Sequence, residues 1–338
     1  MKGVILCAGK GTRMQPFSLT TPKTMLPVMN RPLVAYCLEK FYKAGIDEIA
    51  VVVHPEQKPL IDYMSNLTPK PVIIYQTDQL GIAHALTLVE SFVNNDSFVL
   101  LLGDNLIKEP LETLISAFQG NHGSILLSKV ENPSDYGVAE IVEDRAVNIV
   151  EKPVNPKSNL AVIGMYHFSP AIFEAVRAIR PSSRGEYEIT DAIQWLIHQN
   201  YAISYSITDK HYTDVGTIDR WLVANKWMLE DTMHTSIHIG KNTKLENCTV
   251  RGPVVIGDHC VLSNSIIGPN VTIGNYAILE NCKITNSICL DYATIRDVGK
   301  PVIDSVIGQY VRLIGDHQTH DQGVRFVLGD HSRMSISE

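Results

Sequence analysis

Two short stretches hold the residue types that anion chemistry needs. In the first, the apolar run Gly3–Cys7 leads straight into Ala8-Gly9-Lys10-Gly11-Thr12-Arg13. A strand that ends in a glycine-rich turn aims backbone N–H groups at an anion. In the second, ten residues past Arg13, comes Lys23 within Pro22-Lys23-Thr24-Met25-Leu26-Pro27-Val28. A glycine loop, an arginine and a lysine together can hold a triphosphate at several points. A lone glycine-rich turn reads as an ordinary tight turn, and it is the whole stretch that informs. Its spacing is neither G-x-G-x-x-G nor G-x-x-x-x-G-K-[ST], so neither a dinucleotide fingerprint nor a P-loop is supported.

The elements that would position this chemistry follow from periodicity. Up to about Asp231, short Val/Ile/Leu-rich runs (Gly3–Cys7, Glu48–Val53, Val72–Tyr75, Phe98–Leu102, Ser124–Val130) alternate with stretches of helical spacing such as Arg31–Lys43, His84–Val93 and Ala171–Ala178. This predicts an α/β fold, a mixed and largely parallel sheet with helices on both faces. In such sheets a ligand sits beyond the carboxyl ends of the strands.

After Ser236 a repeat takes over. Ile239-Gly240, Ile256-Gly257, Ile273-Gly274, Leu290-Asp291 and Ile307-Gly308 recur every 17 residues. A second apolar series falls at Leu245, Leu262 and Leu279, and a third at Val250, Ile267 and Ile284, with a break at Pro301. A period near six predicts a three-sided parallel β-helix, aliphatics stacked in the lumen and Gly or Asn at the corners. Hexapeptide arrays of this class are usually left-handed. The expected division is therefore 1–235 and 236–338, with the β-helix a passive platform. Acyl transfer is the sharper alternative, with His259, His317 and His320 as candidate bases; His317-x-x-His320 is only a weak imitation of a metal site.

Composition bounds the rest. The chain has 338 residues, 45% hydrophobic, with a formal charge of −7. That apolar content supports a real core and excludes disorder as the main state. An acidic chain is a poor general nucleic-acid binder. No apolar run reaches the ~18–20 residues that span a bilayer, and the N-terminal run is too short for a signal peptide. The expected location is cytoplasmic. The six cysteines form no C-x-x-C pair, so they read as small buried hydrophobes.

The signature segment resembles that of the sugar-1-phosphate nucleotidylyltransferases, and the resemblance runs along nearly the whole chain. Tyr75-Gln76 with Leu80-Gly81-Ile82-Ala83-His84-Ala85 is similar to the base-recognition segment of the long-form glucose-1-phosphate thymidylyltransferases. Leu102-Gly103-Asp104-Asn105 resembles the metal-binding strand end. Tyr136-Gly137-Val138-Ala139-Glu140, Val150-Glu151-Lys152-Pro153 and Gly164-Met165-Tyr166 resemble the sugar-phosphate site. Arg184-Gly185-Glu186-Tyr187-Glu188-Ile189-Thr190-Asp191 is a further match, and Tyr212-Thr213-Asp214-Val215-Gly216-Thr217 departs from the family's W-x-D-x-G-T only in its tyrosine. The tail Val327-Leu328-Gly329-Asp330-His331-Ser332 resembles that of the long form, which adds a β-helix to a Rossmann-like catalytic domain.

The resemblance implies Mg²⁺-dependent transfer of a nucleotidyl group from dTTP to glucose 1-phosphate, with UTP or another NTP as the nearest rival. Arg13 and Lys23 would be catalytic. Ala8, Gly9, Gly11 and Thr12 would cradle phosphate, Gln76 would read the base edge, and Gly81 would let the base approach the backbone. Tyr136, Gly137, Glu151, Lys152, Tyr166 and Arg184 would hold the sugar phosphate, with core packing the alternative for both tyrosines. Asp104 and Asp214 would hold the metal, since Mg²⁺ takes oxygen ligands and keeps several waters; either aspartate alone reads as a turn or cap residue. A homo-oligomer is expected. A bifunctional enzyme with acetyltransferase activity, and a non-catalytic sensor of sugar nucleotides, are the competing readings. Arg13, Lys23, Asp104, Lys152 and Asp214 are all present, which argues against the sensor.

Overall fold

The structure is a computed structural model and describes residues 1–315 and 323–336. The chain opens with β1 (Lys2–Leu6), passes three single helical turns, and makes a hairpin of β2 (Pro27–Val28) and β3 (Arg31–Pro32) before α1 (Leu33–Lys43). There follow β4 (Ile49–Val53), α2 (Lys58–Ser65), β5 (Val72–Tyr75), α3 (Ile82–Val93), β6 (Phe98–Leu102), β7 (Asn105–Ile107) and α4 (Leu111–Phe118). Next come β8 (Gly123–Lys129), β9 (Gly137–Val142), β10 (Arg145–Glu151), β11 (Leu160–Phe168), α5 (Ile172–Ala178), α6 (Ile189–His198), β12 (Ile203–Thr208), β13 (Tyr212–Asp214) and α7 (Ile218–Met233).

By compactness the chain forms two discontinuous units: Met1–Gly9 with Val34–Tyr212, and Lys10–Leu33 with Thr213–Glu338. The change of texture near residue 235 is a change of secondary structure, where α7 gives way to short strands beginning at Ile237. The compact units divide the chain elsewhere.

The first unit is built on a nine-stranded mixed sheet with the path β10-β9-β11-β6-β1-β4-β5 and with β8 joining β11 to β12. The pairs β6-β1, β1-β4, β4-β5 and β8-β12 are parallel. The β11 pairs with β6, β8 and β9, and the β9-β10 hairpin, are antiparallel. Alternation along β1 covers both faces. Val4 packs with Ala83, Leu86 and Val89 of α3. Gly3 faces the other way, where an added Cβ would meet the Phe41 ring of α1 at 2.9 Å. That close approach, rather than a turn, explains the glycine inside a central strand.

The second unit carries the β-helix. One wall stacks Ile237–Ile239, Val254–Ile256, Val271–Ile273, Ser287–Cys289, Val306–Ile307 and Val327–Leu328, all parallel. A second stacks Lys244–Glu246 through Arg333–Ser335, and a third runs from Thr249–Val250 to Val302–Ile303. The lumen is filled by Ile256, Leu262, Ile267, Ile273, Leu279, Ile284, Ile295 and Leu313.

Three details correct the strict 17-residue reading. The register pairs Ile273 with Cys289 and Cys289 with Ile307, so Leu290 is not the inward residue and coils of 16 and 18 residues follow one another. The third series does not end at Pro301. It continues at Val302, paired with Ile284, because the extra residues of the longer coil are absorbed before it. The glycines of the Ile-Gly pairs are not left-handed corners. A Cβ on Gly257 would strike Asn275 Oδ1 at 2.7 Å, so glycine there admits the side chain of the next coil. That side chain matters, because Asn275 accepts from Asp258 N at 2.9 Å, and Asp258 and Asp291 do the same for Lys241 N and Asn275 N at 2.7 Å.

Corners with positive φ fall instead to Asn247, Asn264 and Asn281 on one edge, and to His259, Tyr276, Tyr292, Tyr310 and His331 on another. These five rings stack in one continuous ladder, with centroids 4.7–4.9 Å apart and planes within 7° of parallel. Of the six cysteines, all but the half-exposed Cys248 are buried, and all are free thiols. Burial pushes the Cys282 thiol in the lumen up to about 11.

Candidate active site

In the first unit, the carboxyl ends of three parallel strands supply backbone turns. At the end of β1, Cys7 N donates to Val52 O at 2.8 Å. Gln57 Nε2 donates to Cys7 O at 2.9 Å, and Gln79 donates to Ala8 O, so both carbonyls of the turn are engaged. Ala8 is buried, and a Cβ on Gly9 would meet nothing within 4 Å, which leaves the Gly9 backbone open to a ligand.

At the end of β6, Gly103 N donates to Leu6 O at 2.9 Å and delivers Asp104 beside the β1 turn. The Cys37 thiol lies beneath, 3.7 Å from Leu102 O and 3.9 Å from Asn105 O. Its burial and the Asp104 charge push it up to about 12, so it stays a protonated donor. Asn105 Nδ2 donates to Ile163 O at 3.1 Å. A Cβ on Gly164 would collide with that amide, and this explains a glycine at φ +77° in the middle of β11.

At the end of β5, Gln76 is buried, and its Nε2 lies 3.1 Å from His84 Nδ1. With the amide as donor, the His84 proton sits on Nε2. Gly81 has φ +107°, and a Cβ there would meet Tyr187 O at 2.6 Å. The backbone of Tyr187 pairs with the segment through Tyr187 N to Leu80 O (2.7 Å) and Ala83 N to Tyr187 O (3.0 Å). A protein contact thus already requires this glycine.

The sugar-phosphate candidates gather where the β9-β10 hairpin meets the start of α6. Gly137 pairs with Glu151, and Lys152 N donates to Tyr136 O at 2.9 Å. Thr190 Oγ1 donates to Glu151 Oε2 at 3.1 Å. Arg184 forks onto Glu188 with three contacts of 2.9–3.1 Å and reaches Glu151 Oε1 at 3.5 Å. Burial, together with the facing Glu188 charge, holds the Glu151 carboxyl above its ordinary value. Lys152 Nζ is 4.0 Å from Glu151. Tyr166 is different: it is 3% exposed, packed in the core and stacked on Phe168 at 5.6 Å. Burial, then the Glu151 charge, raises its phenol pKa.

The second unit carries the rest of the signature. Gly11 has φ +64°, and a Cβ there would lie 3.0 Å from the Lys23 Cβ, so the turn packs directly on the lysine. Arg13 follows in the helical turn Thr12–Met14, exposed at its surface. Its guanidinium borders Gly216, where a Cβ would meet Arg13 Nη2 at 3.2 Å and Asp214 Oδ1 at 2.7 Å. This brings Arg13 to the Asp214 turn. Arg220 Nη1 donates to Asp214 Oδ2 at 2.7 Å. Sequence reasoning missed Arg220, which lies six residues past Asp214 in the first turn of α7; Glu188 stands in a matched motif with its role only loosely assigned, and the structure sets it against Arg184.

His259 is stacked on Tyr276 as one rung of the ring ladder. His317 and His320 lie outside the described residues. Among the described residues there is no group of three or more His, Cys, Asp or Glu that could hold a metal ion. Asp104 lies in the first unit and Asp214 in the second, and each is an oxygen donor of the kind Mg²⁺ takes. No helix among the described residues is long and apolar enough to cross a membrane.

Strand ends that present backbone and aspartate, joined in the chain to a Gly/Arg/Lys loop, define a protein that handles nucleotides. The nucleotidyl transferase family model matches residues 2–231, and the chain belongs to that family. It is 38% identical to the low-salt glycan biosynthesis nucleotidyltransferase Agl11 of Haloferax volcanii, over 99% of this chain and all of that one. It is 33% identical to a glucose-1-phosphate thymidylyltransferase of Streptomyces griseus, over the full length of both. The crystal structure of a UDP-glucose pyrophosphorylase complexed with UDP-glucose covers 68% of this chain and 98% of its own, at 29% identity and a TM-score of 0.62. The chain is a sugar-1-phosphate nucleotidyltransferase.

Proposed function

We propose that the chain joins dTTP and glucose 1-phosphate to give dTDP-glucose and pyrophosphate, with residues 1–235 as the catalytic portion. The observation that carries this reading is the Glu151, Lys152 and Arg184 cluster, which offers carboxylate for sugar hydroxyls and cations for phosphate. The full-length likeness to a thymidylyltransferase supports the choice of substrates.

In the reaction a sugar-phosphate oxygen attacks the α-phosphorus in line, the bond to the β-phosphate bridging oxygen breaks, and pyrophosphate leaves. No covalent intermediate is needed, so the protein's work is positioning two anions and offsetting charge. Backbone N–H groups at Gly9, Gly11 and Thr12 and the Arg13 fork hold the triphosphate and the leaving pyrophosphate. Lys23 sets positive charge beside the α-phosphate. Lys152 and Arg184 bind the sugar phosphate, and Glu151 accepts sugar hydroxyls. Asp104 and Asp214 would hold Mg²⁺, which, when bound, neutralises phosphate charge. The Gln76 amide reads the N3–H and carbonyl edge of a pyrimidine.

That edge is common to thymine and uracil, so transfer from UTP is the second reading, favoured by the UDP-glucose enzyme among the structural relatives. A pyrophosphate-release screen of several NTPs against several sugar 1-phosphates tests both. The highest kcat/KM is expected for dTTP with glucose 1-phosphate; a UTP maximum would replace the first reading with the second. Acetyl transfer in the β-helix is the bifunctional alternative, and consumption of acetyl-CoA with glucosamine 1-phosphate as acceptor tests it. Self-association is supported by the exposed apolar residues Ile237, Ile239 and Leu245 of the first coil. A cytoplasmic site of action suits the NTP substrate.

A further inference from the structure

The signature segment Lys10–Leu33 belongs to the same compact unit as the β-helix. Its attachment is built from buried polar groups and not only from apolar contact. Asn225 of α7 is 1% exposed. Its Oδ1 accepts from Met29 N at 3.0 Å and from the hydroxyl of Thr272 at 2.9 Å. Thr272 is fully buried and sits in the wall strand Val271–Ile273 of the β-helix. One residue on, Asn30 Nδ2 donates to Ile273 O at 2.6 Å.

Met29 and Asn30 are the turn of the β2-β3 hairpin, both at positive φ (51° and 59°); asparagine tolerates that region, whereas a methionine there is uncommon and depends on its surroundings. Lys23 lies just ahead of that hairpin. Its other end is also held: Trp221 Nε1 donates to Pro27 O at 2.7 Å and its ring meets Phe17 edge-on at 5.3 Å. The β-helix tail reaches the same segment through Asp330 to Thr20 and Gly329 against Pro16.

We propose that the β-helix is a working part of the triphosphate site: Asn225 and Thr272 are positioning residues that relay the β-helix wall to the Met29–Asn30 turn and so hold Lys23 and Arg13 in their binding geometry. The reaction leaves most of its rate to positioning, so small displacement of such a loop lowers activity without removing any charged group. The inference rests on the reading of Lys10–Leu33 as the triphosphate loop.

The test uses the full chain with Thr272→Val, which keeps shape and loses the hydroxyl, and Thr272→Ser, which restores it. Backbone hydrogen exchange over residues 10–33 is measured without ligand, and affinity for dTTP with Mg²⁺ by calorimetry. Losing one buried hydrogen bond should raise exchange at the Met29 amide and weaken dTTP binding by roughly 5–10-fold each. Thr272→Ser should return both to parental values, and the KM for glucose 1-phosphate should not move. Parental exchange in Thr272→Val overturns the relay. Faster exchange with parental dTTP affinity overturns its role in binding. If the parental chain binds neither dTTP nor UTP, the proposed function falls; the exchange comparison of Val against Ser then upholds or overturns the mechanical relay by itself.

Discussion

Arg13 and Lys23 show what single side chains contribute. Both come from a segment that Gly11 folds tightly, with Lys23 packed on the glycine and Arg13 bordering Gly216. Neither side chain is in the core, so truncation should cost chemistry and not the fold. Lys23→Ala and Arg13→Ala should each lower kcat/KM by about 10²-fold or more, with an unchanged melting temperature; pyrophosphate release at the parental rate would refute the assignment. In the proposed function Glu151 sets the pH response. Its folded pKa is raised by burial and by Glu188. The ionised form, proposed to accept sugar hydroxyls, is therefore lost at a higher pH than for an ordinary glutamate as pH falls. The KM for glucose 1-phosphate should rise on acidification from that point. Glu188→Gln removes the facing charge and should move the inflection to lower pH, as a pH profile of KM will read.

Elements were legible to different depths. The β-helix was visible because three apolar registers had to repeat together to fill one lumen. The slip at Cys289 was not, because Leu290-Asp291 imitates the Ile-Gly pair and only cross-coil pairing separates them. The sheet of the first unit followed from Val/Ile/Leu runs, and Asp104 from its place after one of them. The reason for Gly81 was hidden, since it depends on Tyr187, far away in the chain. Tyr166 was equally ambiguous until its burial placed it in the core. The ring ladder was unread because its members sit where Asn or Gly was expected, at left-handed corners. Each inner ring stacks on two neighbours, and an aromatic pair contributes ~0.5–1.5 kcal/mol beyond its buried area. Tyr292→Asn keeps a residue that tolerates positive φ yet loses both stacks, so it should destabilise by about 1–3 kcal/mol, read as a lower melting temperature. Tyr292→Phe should melt with the parent; if Asn and Phe melt alike, the ladder contributes nothing.

At the scale of the whole molecule the chain crosses between its two units three times, after Gly9, Leu33 and Tyr212. A cut at residue 235 therefore leaves one compact unit whole and divides the other. It keeps Lys10–Leu33 and α7 but removes the Ile273 carbonyl, Asp330 and Gly329, against which that segment is seated, and Thr272, which donates to Asn225. Buried Asn225 would lose one of its two donors and be opened to water, and the Met29–Asn30 turn would lose the Ile273 carbonyl that accepts from Asn30. Were the β-helix a passive platform, residues 1–235 would keep parental turnover and lose only assembly. The contacts argue otherwise. The fragment should retain the nine-stranded sheet, because the sheet and its core lie wholly within the first unit. Its segment 10–33 should become the first site of limited proteolysis, and its kcat/KM should fall by about tenfold or more, as expected for misplacement of a positioned group. Parental kcat/KM together with a protease-resistant segment 10–33 would return the β-helix to the role of a platform.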